Sequence, residues 1–176
     1  ISISEISRDS YTGRYHSFLP QADVTWGEAN TFAGNFGKKF RLNTGLPTEA
    51  QWEYAARSGG QNIEYPWGSG ISCSKANYRD CGNRVKAATV FFPNSYGIYD
   101  MAGNLREWCR DAYDEQAYLN TAYKDPYISS GGSGRVVRGG SYADGPLALK
   151  TYTRYWRSES QKDAFTGFRI VIQGGR

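Results

Sequence analysis

A helical repeat of apolar residues occurs in two segments of this 176-residue chain, and both end before residue 60. Beyond them glycine, asparagine, serine and proline punctuate the sequence at short intervals. Two modest helices need other partners to bury their apolar faces, so short strands and ordered loops must complete the core. The expected fold is therefore α+β: two helices against a small antiparallel sheet, with long ordered loops, in one domain spanning residues 1–176.

The first helical segment is "VTWGEANTFAGNFGKK", where Trp26, Ala29, Phe32, Ala33 and Phe36 recur at steps of three and four, with Thr25 as N-cap. The second is "TEAQWEYAARSGG". Thr48 and Gln51 fit a capping box, Trp52, Ala55 and Ala56 make the apolar face, and Gly59 supplies the stop. From Gly60 to Phe92 turn signals dominate. "SYGIYDMAGNLREW" reads as a short extended piece entering a structured loop. Near the C-terminus two strands are expected, "RVVRGGS" and "GFRIVIQ". Between them lies "YADGPLALKTYTRYWRSES", rich in tyrosine, serine and arginine and lacking either regular period.

Composition limits the function. No apolar run approaches the roughly 18 residues of a membrane-spanning helix. Net charge is +4, but residues 135–176 hold eight basic and three acidic residues, so the excess sits in the tail. These charges are interrupted, unlike a nucleic-acid patch, and no nucleic-acid partner is expected. They either favour an acidic partner or solvate a loop-rich surface. Of three cysteines, Cys73 and Cys81 share one loop and form either a local disulfide or two free thiols, while Cys109 reads as a buried small hydrophobe. The only histidine is His16, which argues against a zinc site or a Ser-His-Asp hydrolase. No Walker or dinucleotide motif is present.

Taken together, "GLPTEAQWEYAAR", "YPWG", "SYGIYDMAGNLREWC", "RVVRGGSY" and "TGFRIV" resemble, in order, the formylglycine-generating-enzyme or sulfatase-modifying-factor family, over roughly residues 24–171. The resemblance implies a variant of the C-type lectin fold. It also implies a pair of active-site cysteines shortly after "RGGS", but "YADGPLALKTYTRYW" contains none and no cysteine follows Cys109. Neither this oxidative chemistry nor a redox cofactor is therefore expected. The whole pattern is also similar to the variable proteins of diversity-generating retroelements, which share the fold. In those, the segment between the "RGGS" and "GFR" strands is diversified at adenine-containing codons and binds ligand. That resemblance implies a variable region at about 138–170, with Tyr142, Ala143, Asp144, Gly145, Tyr152, Thr153, Tyr155, Ser158, Ser160, Asp163, Ala164 and Phe165 as diversified binding positions. Trp156, Arg154 and Arg157 would be fixed scaffold or contact residues, with Trp156 counted among the ligand contacts.

Tyrosine and tryptophan give large rigid contact area, and serine, glycine and aspartate adapt hydrogen bonds, so such a face suits binding. The expected function is a non-enzymatic ligand-binding display protein, acting as a monomer on a protein or cell-surface ligand. It would be secreted or at the cell surface, with a signal or lipid anchor possible before Ile1. The alternatives are a formylglycine-generating oxidoreductase using another residue, or a glycan-binding module, though the EPN and WND triplets of calcium-dependent lectins are absent. In "DMAGNLRE" the resemblance to the enzymes implies a structural calcium ion held by Asp100 and Glu107 and by the carbonyls of Gly103 and Leu105. The alternative there is a turn capped by Asp100, with Glu107 paired to an arginine. A second calcium site, after "ANY", lacks the acidic loop it would need.

Overall fold

The computed structural model describes Ile6 and residues 18–120, 124–132 and 134–173. His16 lies outside the described residues. Helix α1 (Trp26–Phe40) begins where Thr25 accepts the Glu28 N–H and the Glu28 carboxylate accepts the Thr25 N–H; it ends at Arg41 in the left-handed region. Helix α2 (Glu49–Ala56) opens on the expected reciprocal pair, Thr48 and Gln51. Ser58 and Gly59, at φ 48° and 91°, turn the chain away. A four-residue helix, α3 (Ala117–Asn120), and single turns at Arg79–Cys81 and Pro146–Leu149 complete the helical part.

Strand β1 (Thr44–Gly45) pairs antiparallel with β6 (Val171–Ile172). The larger sheet has the order β4-β3-β2-β5, built from β2 (Arg106–Ala112), β3 (Arg135–Arg138), β4 (Tyr155–Arg157) and β5 (Thr166–Gly167). The first three strands are antiparallel, but β5 runs parallel to β2, so the sheet is mixed rather than wholly antiparallel. The expected strand "GFRIVIQ" is likewise divided: Thr166–Gly167 joins the large sheet and Val171–Ile172 the small one. The chain changes sheets at Phe168, Arg169 and Ile170, which are all buried.

Alternation along β2 and β3 sends side chains to two cores. Trp108 and Val137 pack with Ala29, Ala33 and Phe168 on the α1 side. Cys109 and Val136 pack with Trp52, Ala55, Ala56 and Met101 on the α2 side. A third cluster, Tyr65, Ala76, Tyr78, Ala102, Ala148 and Leu149, supports the long loops. Three indoles bind β2 to its surroundings: Trp26 donates to Cys109 O, Trp108 to Val24 O, and Trp52 to the Glu107 carboxylate. Cys73 and Cys81 are joined by a disulfide, and Cys109 is the buried free thiol.

Candidate functional site

None of the thirteen expected contact residues is buried. Tyr152, Tyr155, Trp156, Ser158, Ser160 and Ala164 are exposed, and Tyr142, Ala143, Asp144, Gly145, Thr153, Asp163 and Phe165 are half-buried. The framework around them is closed: Ser141, Ala148, Leu149 and Thr151, and the run Thr166–Ile170, are all buried. Beneath the segment lies a lattice of ion pairs. Arg138 is fully buried, pairs with Glu53 at 2.5 Å, and donates to the carbonyls of Thr151 and Thr153. Arg154 grips both oxygens of Glu49 at 2.7 Å and lies 5.0 Å from the ring centres of Tyr113 and Tyr118. The irregular segment is thus tied to α2 and β3 by charged hydrogen bonds in addition to the short β3–β4 ladder.

The contacts sort the residues into separate groups. Tyr142 meets Phe165 with ring centres 5.2 Å apart, next to the Arg106 guanidinium. Tyr152 lies near Arg57 and Lys150 instead. On edge strand β4, Tyr155 and Trp156 point to opposite faces of the sheet. Trp156 borders a cavity of about 500 Å³ with Tyr113, Asp114, Glu115 and Ser130–Gly132, and Ser158 and Ser160 line an adjoining cavity of about 450 Å³. Sequence reasoning missed Tyr113–Glu115 and the 130–132 turn, which reach Trp156 only through the fold.

Several expected contacts also carry framework bonds. Asp144 takes Arg106 on one oxygen and the N–H and hydroxyl of Ser141 on the other. Asp163 accepts the Phe165 N–H and lies 3.5 Å from Arg157. Thr153 donates to Leu147 O, and Gly145 enters the Pro146–Leu149 turn. These four hold the loop in shape.

The expected calcium loop is organised differently. Glu107 is fully buried, and both its oxygens are occupied: one accepts from Arg169 Nη2 at 2.6 Å, the other from Arg169 Nε at 2.5 Å and from Trp52 at 2.6 Å. Asp100 accepts the Thr89 N–H on one oxygen, and its other oxygen is buried without a hydrogen bond. Gly103 donates to Gly139 O, and Leu105 is part of the buried framework. Asp100, Gly103, Leu105 and Glu107 therefore do not fit a calcium ion as a set, because an ion on Glu107 would displace or face a guanidinium. Among the described residues no three His, Cys, Asp or Glu side chains group as a metal site.

Burial pushes the Asp100 pKa up, against the opposing pull of the Thr89 N–H and Arg169. A raised carboxyl pKa means that folding disfavours the ionised form; this cost is present at neutral pH and relieved as pH falls. Asp100→Asn should therefore melt above the parent at pH 7, with the gap closing on acidification and no response of either protein to a calcium chelator. A chelator-dependent fall in Tm would restore the calcium reading.

Two helices around a mixed sheet, with long loops locked at their bases, define a C-type-lectin frame of the formylglycine-generating-enzyme type. The chain belongs to the family of the sulfatase-modifying factor enzyme 1-like domain, whose family model matches residues 3–174. It is 32% identical to the formylglycine-generating enzyme of Streptomyces coelicolor over 177 residues, covering 93% of this chain and 54% of that one. It is 36% identical to the serine/threonine-protein kinase pkn1 of Chlamydia pneumoniae, covering 86% of this chain but 24% of the kinase. The chain thus spans about half, or less, of these curated relatives. Among solved structures it superposes on Treponema denticola variable protein 1 with a TM-score of 0.77 and 25% identity, covering 93% of this chain and 74% of that one. Among the described residues no helix is long and apolar enough to cross a membrane.

Proposed function

We propose that this chain is a ligand-binding display domain that lacks formylglycine-generating chemistry, with residues of the 138–170 region forming an interchangeable contact surface for a protein ligand. One observation carries the reading: thirteen candidate contacts in this region all avoid burial, while Ser141, Ala148, Leu149, Thr151 and the run Thr166–Ile170, set before, between and after them, are buried. A rigid base with exposed rings loses little conformational freedom on binding. The similarity to a variable protein agrees with this.

The sulfur inventory supports the absence of oxidation chemistry. Cys73 and Cys81 are bonded to each other, and the Cys109 thiol is fully buried, with its pKa pushed well up by burial. No cysteine lies after "RGGS". A disulfide also suits an oxidising compartment, in line with secretion or surface display.

Randomising Tyr142, Ala143, Tyr152, Tyr155, Ser158, Ser160, Ala164 and Phe165 together, and selecting on immobilised hen lysozyme, should return folded binders from a largely folded library. Mostly unfolded variants would contradict the reading. In parallel, a cysteine-containing sulfatase peptide with copper and oxygen should remain unmodified; sustained turnover would place the chain with the family's enzymes instead.

A further inference from the structure

Trp156 is 48% exposed although it sits on a strand of the main sheet. It lines the 500 Å³ cavity together with Asp114, Glu115, Tyr113 and the Ser130–Gly132 turn. Among the described residues no basic side chain lines this cavity. The cations nearby are already engaged. Arg154 is held by Glu49, and Arg135 donates to Glu159 and to Arg110 O with its guanidinium 4.0 Å from the ring centre of Trp26. Glu115 is exposed, and among the described residues only its backbone oxygen is engaged, by Arg154. Asp114 uses one carboxylate oxygen on the Gln116 N–H.

Building on the display reading, we propose that this cavity receives a cationic side chain of the ligand, a guanidinium or ammonium group seated against the Trp156 ring with Glu115 and Asp114 at its edge. The face of an indole is electron-rich and attracts cations, most strongly when the contact is partly shielded from water. The two acidic side chains add attraction of the same sign and repel anions. The basic excess of residues 135–176 does not oppose this, because Arg138, Arg154 and Arg169 are each paired with glutamates. Of the cavity's lining only Trp156 comes from the basic tail, and both charged side chains that line it, Asp114 and Glu115, are acidic.

The test titrates the folded protein with N-acetyl-arginine amide, its neutral isostere N-acetyl-citrulline amide and a methyl glucoside, following the Trp156 indole and the Gly131 and Gly132 amides by NMR. The arginine amide should shift these signals saturably, weakening with salt, while citrulline and glucoside do not. Glu115→Gln should weaken the binding by about threefold. Trp156→Ala should abolish the Gly131 and Gly132 shifts with its Tm unchanged. Equal shifts from citrulline, shifts from the glucoside alone, no shifts at all, or an unaltered response in Trp156→Ala would each overturn the cation site and leave the display reading standing. Collapse of the Trp156→Ala fold would count instead against the display reading, with the parent and Glu115→Gln titrations still deciding the cation.

Discussion

Replacing Arg169 with methionine should lower the melting temperature on the order of 10 °C, a loss of about 3–5 kcal/mol. Arg169 and Glu107 are both fully buried and joined by two short charged hydrogen bonds, and Arg169 also donates to the carbonyls of Tyr99 and Asp100. Removing the guanidinium leaves a carboxylate in the core with one indole N–H for company. The cost is that of an uncompensated charge, not the net worth of the pair. Glu107→Gln combined with Arg169→Met should therefore recover much of the loss. Calorimetry of the single and double variants decides this; equal losses would mean that the pair acts through its carbonyl contacts instead.

Gly103→Ala should be nearly as damaging, at about 2–4 kcal/mol. Gly103 has φ +80°, and a Cβ there would sit 2.2 Å from the Asn77 carbonyl oxygen. That oxygen also accepts the Asn104 N–H, so it cannot retreat without losing the bond between the 77 and 104 loops. By contrast, Gly97→Ala, where a Cβ meets nothing within 4 Å and φ is +72°, carries the backbone strain alone. A chemical-denaturation comparison of the two separates close approach from strain; similar losses would show that the Asn77 contact yields freely.

The helices were legible because their signals are local. Thr48 and Gln51 cap α2 within four residues, and Ala29 and Ala33 mark the buried side of α1. The central strand β2 was not. "LREW" reads as part of a structured loop, and "REWCRDA" carries four charged residues, yet it is a strand in which Arg106, Glu107 and Asp111 are buried because their partners come from Asp144, Arg169 and the Glu49 N–H. Pairing across more than thirty residues leaves no periodic trace. The same limit left two readings of the Asp100–Glu107 loop open, a calcium ion or Glu107 paired to an arginine: its carboxylates were visible, but the arginine that takes Glu107 lies 62 positions away. That the candidate contacts escape full burial was legible as a set, since tyrosine and serine without a period suit a surface. Their division among separate groups was not, because Tyr155 and Trp156 diverge only once β4 pairs with β3.

The most direct measurement is the thermal stability of the chain with Tyr142, Tyr152, Tyr155 and Phe165 all replaced by serine. If the frame below 138–170 is held by the glutamate–arginine lattice and the three cores, Tm stays within a few degrees of the parent. A collapse of the cooperative transition would mean that these rings are core rather than display, and the functional account would fall with them.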